Sequence, residues 1–423
     1  MSEPRPPTRD AGAAPAPADG RWPEPADFAP PPSDGDLARW SEADAAARPA
    51  RLGRLRARLA AAGIDAYFGV RPAHMRYLTG FALGNGEEQV AGHSGQFLIG
   101  GDEVVVLADS RYTLQARREA LHARIEECGY DLPDRWARLV ASLGARRIAA
   151  EAGAMTHALW TALQAAAPDV ELVPADEWVE EDRAVKEPAE VERIAAACAV
   201  ADRALAALLP RIRPGATERS LALDLEWLMR TGGAEALAFD VACLAGPEAA
   251  LPHGSPDERP VRAGEVLLFD FGAQVAGYRS DMTRTLFVGE PSARDIAVYD
   301  LVARAQASAI DLLERTAREA GEMPSGRAVD AAARAVIEAA GHGDHFGHGT
   351  GHGIGLATHE LPRLSRVAPE TPLPSPTVFS VEPGVYLEGE TGVRIEDLVL
   401  LDAAGGRVER LTAFPRDALV LPV

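Results

Sequence analysis

Two pairs of acids on strand-like segments carry the chemistry that this chain can do. Asp270 lies in Val266-Leu-Leu-Phe-Asp270-Phe-Gly272, and Asp281 in Tyr278-Arg-Ser-Asp281-Met-Thr-Arg-Thr285. The runs flank Gln274-Val-Ala-Gly277, which reads as a tight turn with residues 275 and 276 at its centre. That register sets Asp270 directly opposite Asp281, with Cβ atoms about 4.5–5.5 Å apart. Like charges so opposed destabilise a sheet, and Asp270 is flanked by phenylalanines, so something cationic is expected, although one pair alone also fits a shared proton or a solvated polar face. The pattern recurs downstream. Val381-Glu382-Pro-Gly384 and Arg394-Ile-Glu396-Asp397 flank a loop centred on Gly389, and that register faces Glu382 with Glu396.

Between the pairs lies Phe346-Gly-His348-Gly-Thr-Gly-His352-Gly-Ile-Gly-Leu-Ala-Thr-His359-Glu360, and five of the ten histidines fall in 342–359. Glycines permit backbone paths that bring imidazoles close to a site. His352 and His359 read as functional, His342 and His345 as solvated loop residues. Four carboxylates with one imidazole and no nearby cysteine form a hard, oxygen-dominated ligand set that favours Mn²⁺, Co²⁺ or Fe²⁺ over a thiolate-bound zinc. Such a set suits two ions about 3.5–4 Å apart that share a hydroxide for hydrolysis.

The elements that must position these groups are α/β. Residues 36–62 read as a helix that Pro49 should interrupt. Strands are expected at 64–70, 96–100, 103–108, 147–151 and 170–174, with helices at 113–122, 135–142 and 155–166, an alternating N-terminal domain. From about residue 184 the order helix, helix, strands occurs twice: helices 188–211 and 217–229 precede strands at 238–245, 264–273 and 278–288. Helices 293–320 and 325–340 then precede strands near 378–387, 393–401 and 407–413. This is a pseudo-symmetric α/β domain whose halves face each other across a cleft. The expected division is a disordered Pro/Ala-rich tail at 1–35, which holds ten of the 32 prolines, an N-terminal domain at 36–176, a charged linker at 177–190 and a catalytic domain at 191–423.

Composition excludes other classes. The 423 residues carry a net charge of −20, which argues against a nucleic-acid partner. No apolar run is long enough to span a membrane, and no secretory signal is visible, so a cytoplasmic protein is expected. The three cysteines, Cys128, Cys198 and Cys243, are scattered and form neither a disulfide framework nor a zinc site.

In combination and order, Asp-x-Gly, Ser-Asp-x-Thr-Arg-Thr, Gly-Thr-Gly-His-Gly-Ile-Gly, Glu-Pro-Gly and Arg-Ile-Glu-Asp resemble the creatinase/aminopeptidase P/prolidase family of pita-bread metallopeptidases. Arg76-Tyr-Leu-Thr-Gly80-Phe and Asp109-Ser-Arg-Tyr112 resemble its creatinase-type N-terminal domain. The resemblance covers about 36–423. It implies an α/β (α+β) chain with that N-terminal domain ahead of a pita-bread catalytic domain. It implies that Asp270, Asp281, His352, Glu382 and Glu396 bind two divalent ions, most simply Mn²⁺, with Co²⁺, Fe²⁺ and Zn²⁺ as alternatives, and that Asp281 and Glu396 bridge them. His253, in Leu251-Pro-His253-Gly-Ser-Pro256, matches an active-site histidine, His359 the one that polarises the scissile carbonyl, and His348 another in the pocket. Arg394 would support the ligand carboxylates, and Arg363 would contact the substrate carboxylate.

The activity implied is hydrolysis of the bond preceding a proline, by an Xaa-Pro aminopeptidase or dipeptidase in which a metal-bridging hydroxide attacks and Glu382 shuttles the proton. A peptide with proline at its second position is the expected partner, and a homodimer the expected assembly. The alternatives are a creatinase- or ectoine-hydrolase-like C–N hydrolase of a small metabolite, and a non-enzymatic member of the family. Two departures touch the pocket: Ala242-Cys-Leu-Ala-Gly246 replaces a common Ser-Gly pair, and Pro374 and Pro376 stand near a usual glycine. Gly272 stands where a lyase branch carries a further acid.

Overall fold

The computed structural model describes residues 21–83, 94–129, 131–319 and 322–423. Six strands form the N-terminal sheet, in the order Arg124–Glu127, Glu103–Ala108, Gln96–Gly100, Ala66–Gly69, Arg147–Ala150, Glu171–Pro174. The hairpin expected about 100–102 is present, with Gln96 opposite Leu107. Side chains alternate between the two faces of a strand. Tyr67, Phe97 and Ile99 therefore pack with Leu52, Leu55 and Leu59 of the Asp34–Ala62 helix, while Phe68 and Leu98 pack with Trp136, Leu139 and Leu163 on the other side.

Three expectations for this half need correction. Residues 1–20 of the expected disordered tail lie outside the described residues, but 21–35 are ordered. A 3₁₀ turn spans Pro25–Asp27, Arg203 donates to the Pro25 carbonyl at 2.7 Å, and Phe28 stacks on Phe414 at 6.1 Å. Two aromatic anchors, Trp22 and Phe28, supply apolar surface that composition averaged over 35 residues conceals. The long helix, capped by Ser33, runs through Pro49 without interruption. Proline removes one amide donor there, and Arg51, buried two residues on, reaches back across it to Asp44 at 2.9 Å. The 177–190 stretch is a packed junction: Trp178–Ala184 is helical, Pro188 opens the next helix, and Arg183, Lys186 and Glu190 are buried. Arg183, Lys186 and Glu190 break the surface periodicity because they face buried partners.

The helix–helix–strands repeat is observed. Pro188–Leu208 and Glu218–Thr231 precede a four-stranded sheet ordered Val420–Leu421, Met282–Val288, Glu265–Phe271, Ala242–Ala245. Ala293–Arg318 and Gly326–Ala339 precede a five-stranded one ordered Glu360–Leu364, Gly351–Gly353, Thr377–Val381, Asp397–Asp402, Arg407–Arg410. Strand Glu265–Phe271 joins the two cores. Leu267, Phe269 and Phe271 pack with the first helix pair, and Val266 and Leu268 with the second. Asp270 continues that second row towards the meeting point of the halves.

Candidate metal centre

The first carboxylate hairpin turns at Ala276 and Gly277, with φ of 47° and 87°, and pairs Val275 with Tyr278 and Gln274 with Arg279. Positive φ at both central residues is the geometry of a type I′ turn, in which Gly277 takes the second central position. The turn centre is therefore one residue later than 275–276, and Asp270 pairs with Thr283 instead of Asp281. Displacing the centre by one residue moves the partner by two, so both aspartates still project to the same face. The second hairpin has the expected register about Gly389, with Gly384 opposite Arg394 and Val385 opposite Val393. Its ladder ends there. Beyond it the Glu382 amide bonds the Thr350 carbonyl at 2.8 Å, and the Glu396 amide the Thr283 carbonyl at 3.2 Å. Each acid is thus tied to a neighbouring segment of the site.

His352 arrives on the short Gly351–Gly353 strand. A Cβ on Gly351 would stand 1.9 Å from the Ser380 carbonyl oxygen, and one on Gly353 2.0 Å from that of Leu361, so only glycines let this strand lie so close to its neighbours. The His352 Nδ1–H donates to the Gly353 carbonyl at 3.0 Å, which leaves the Nε2 lone pair for the site. Asp281, His352 and Glu396 each offer a ligand atom, all within 4.8 Å of one another. The Glu382 Oε1 lies 3.3 Å from His352 Nε2, and Asp270 Oδ2 is held by Arg394 at 2.5 Å.

The electrostatics fit a divalent cation. Burial first, then the neighbouring carboxylates, pushes Asp281 and Glu396 well above the usual carboxylate range. Burial raises Glu382 as well. Arg394 is the one arginine hydrogen-bonded to a side chain of this group among the described residues. The buried oxygens Asp270 Oδ1 and Glu396 Oε1 find no hydrogen-bond partner among the described residues. Orphaned anionic oxygens at this depth are costly unless something positive meets them. Five oxygen and nitrogen donors without sulfur suit a hard or borderline divalent metal.

Above the acids opens a cavity of ≈ 440 Å³ lined by His253, His348, His359, Phe239 and Asp240, together with Asp270, Asp281, His352, Glu382 and Arg394. The histidines singled out from the sequence therefore converge. His359 lies ring to ring with His352 at 4.2 Å. Burial lowers the pKa of His348, His352 and His359, which favours neutral imidazoles. Arg363 is not brought in: it is 62 % exposed, lies outside the cavity lining, and sits 3.4 Å from Glu177.

Three supporting residues escaped the sequence reading. Thr283 Oγ1 accepts from Arg394 Nε at 2.9 Å and donates to Glu396 Oε2 at 2.8 Å. Tyr386 accepts from Arg394 Nη1 at 2.8 Å and donates to His348 Nε2 at 2.8 Å, while His348 Nδ1 donates to the Gly349 carbonyl. Ser380 Oγ donates to Glu382 Oε1 at 2.9 Å. Thr283 and Ser380 each lie two residues from one of the clustered acids and Tyr386 four, so period-two alternation along the strands was the available signal.

Comparison with known proteins agrees with this geometry. Residues 192–403 match the family described as Metallopeptidase family M24, and residues 51–185 match the Creatinase/Prolidase N-terminal domain. The chain is 35% identical over 371 residues to the uncharacterized peptidase YqhT of Bacillus subtilis, covering 88% of this chain and 100% of that protein. It is 31% identical to the Xaa-Pro dipeptidase of Pyrococcus furiosus, covering 84% and 95% respectively. Among solved structures, the Xaa-Pro dipeptidase from Bacillus anthracis superposes with a TM-score of 0.79 at 33% identity, covering 88% of this chain and all of that one. The X-Pro aminopeptidase from Thermotoga maritima gives 0.77 at 35% identity, covering 87% and 99%. Among the described residues no helix is long and apolar enough to cross a membrane.

Proposed function

The chain belongs to metallopeptidase family M24, and from that premise we propose that it is a metal-dependent peptidase cleaving the bond before a proline at the second position of a peptide. The observation that carries this reading is the convergence of Asp281, His352 and Glu396 within 4.8 Å beneath a cavity lined by His253, His348 and His359. Asp270, Asp281, His352, Glu382 and Glu396 would hold two divalent ions, with Mn²⁺ the first candidate for this ligand set. Such ions supply a nucleophile at neutral pH and polarise a carbonyl.

The remaining roles fall to the chain itself. His359, neutral through burial, offers an N–H to the carbonyl oxygen as negative charge develops on it. Glu382, anchored by Ser380, carries a proton to the departing imino nitrogen, and His253 on the cavity wall positions the substrate. Arg394 fixes Asp270, while Thr283 and Tyr386 fix Arg394. Arg363 does not line the cavity, but it stands exposed on the strand that pairs with the His352 strand, and it is proposed for the carboxylate of a short substrate that extends out of the cavity. The protein is further assigned to the cytoplasm and to a homodimer.

A panel of Xaa-Pro dipeptides, Xaa-Pro-Yaa tripeptides, creatine and ectoine, assayed with Mn²⁺ and Co²⁺ and after exhaustive chelation, tests the reading. Turnover of the proline peptides alone, lost on chelation and restored by metal, is expected. Cleavage of creatine or ectoine in their place, or activity that survives chelation, overturns it.

A further inference from the structure

A second cavity, of ≈ 320 Å³, lies where the N-terminal sheet domain meets the catalytic half, and its lining is as basic as the metal centre is acidic. Among the described residues Arg71, Arg76, Arg183 and Arg279 line it with a single carboxylate, Glu180, in a chain of net charge −20. Two of the four are matched: Arg71 Nε lies 3.2 Å from Glu180 Oε1, and Arg183 is bonded to the buried Glu360. The other two meet only neutral acceptors. Arg76 donates to the Ala276 carbonyl at 2.7 Å. Arg279 donates to Gln274 Oε1 at 3.3 Å and to Thr358 Oγ1 at 2.8 Å. Neither is ion-paired among the described residues.

These two arginines come from different domains. Arg76 belongs to the Pro72–Thr79 helix and Arg279 to the Tyr278–Arg279 strand of the first carboxylate hairpin. Gly277 lets them share a cavity: a Cβ there would stand 2.1 Å from Arg76 Cζ. Guanidinium groups with unspent N–H donors and no ion-paired carboxylate among the described residues present the planar fork that matches an oxyanion. The geometry points to a binding site for a small oxyanion, of the phosphate or carboxylate kind, held between Arg76 and Arg279 at the domain junction. The volume is at the low end for ligand pockets and suits a group of a few heavy atoms.

The site is wired to the catalytic cavity. Thr358 accepts from Arg279, donates to the Ala238 carbonyl at 3.1 Å, and lines the catalytic cavity beside His359. An anion that draws on Arg279 therefore acts on the segment that carries His359.

Binding is read without turnover, so it stands or falls independently of the peptidase reading. Calorimetric titration of the metal-loaded protein uses sulfate, which competes less than phosphate for divalent ions. Saturable binding of one sulfate is expected, weakened roughly tenfold or more by Arg76→Gln and by Arg279→Gln, with Arg279→Lys intermediate. If Arg279→Gln fails to fold by circular dichroism, Arg76→Gln, remote from the catalytic cavity, decides. Displacement of sulfate by free proline supports the site with a carboxylate as its ligand, and saturable binding without displacement supports it with an inorganic ion. Absence of saturation in the parent protein, or equal affinity in the parent and both glutamine variants (an adventitious ion only), overturns the proposal.

Discussion

Glu396 and Asp397 are consecutive and both buried, yet their surroundings are opposite. Glu396 faces Asp270, Asp281 and Glu382, leaves Oε1 without a partner, and is pushed well above the usual carboxylate range by burial and by those acids. Asp397 faces the other way and is saturated. Oδ1 accepts from Arg284 and Thr412, both at 2.7 Å, Oδ2 accepts from Gln306 at 3.0 Å, and Arg410 and Arg416 stand 3.9 and 3.7 Å off. Burial opposes its charge, but the Arg284 guanidinium and the Thr412 hydroxyl outweigh it, so its pKa is lowered. Glu360 repeats the second pattern: between Arg183 and Lys186 it is held down to about 2. Burial is common to all three. What separates a site from a strut here is whether the fold itself supplies the counter-charge.

Removing each member of the adjacent pair breaks that contrast most directly. Glu396→Ala, like Asp281→Ala, is expected to lower kcat/KM by on the order of a thousandfold or more and to reduce bound metal. The metal-free variant should unfold at the same temperature as the metal-free parent or above it, because a repelled charge has gone. Asp397→Ala should do the reverse. Stranding Arg284 is expected to cost about 3–5 kcal/mol of stability, read from denaturant midpoints at unchanged slope. A destabilised Glu396→Ala, or an Asp397→Ala as stable as the parent, would erase the distinction.

Much of this division was legible in the residues. The clustered acids and imidazole announced themselves by type and spacing, and the second hairpin's register followed from its centre at Gly389. The first hairpin was misplaced by one residue because Ala276 occupies a positive-φ position that alanine seldom takes, and only the choice of turn reveals it. Long-range partners were not legible. Nothing near Asp397 in sequence signals Arg284 or Gln306, about a hundred residues away. Likewise Lys186 and Glu360 read as linker charge and motif tail until the fold buries them together. Sequence pattern gives the face on which a side chain lies, whereas tertiary packing decides what it meets.

Thr283 sharpens the contrast on the site's own side, because it is the hydroxyl through which Arg394 and Glu396 communicate. Thr283→Val keeps the shape and removes both hydrogen bonds. Metal affinity is expected to fall by about 10–100-fold, the usual loss when a group that orients a ligand is removed. Competition against a fluorescent chelator measures it, and an unchanged affinity would mean that Arg394 needs no such link.

The smallest effect expected is in the pH dependence of the metal-free protein. Glu396 has a folded-state pKa above its unfolded value of about 4.3, so the folded chain binds the extra proton. Its contribution to stability is therefore fully present below the ordinary carboxylate range and is lost as pH rises through the folded value. Glu360 and Asp397, both lowered, run the other way: their contribution is present above the ordinary range and is lost as pH falls, for Glu360 towards about 2. Glu396→Gln removes only the first dependence. In chelator-treated protein its midpoint should match the parent near pH 4 and exceed it by a few degrees at pH 7. Adding Mn²⁺ at pH 7 should reverse that order, because the parent then gains a counter-charge that the glutamine variant binds poorly. Parallel parent and variant curves from pH 4 to 7 would show that the crowding around Glu396 is relieved by something other than a proton or a metal ion.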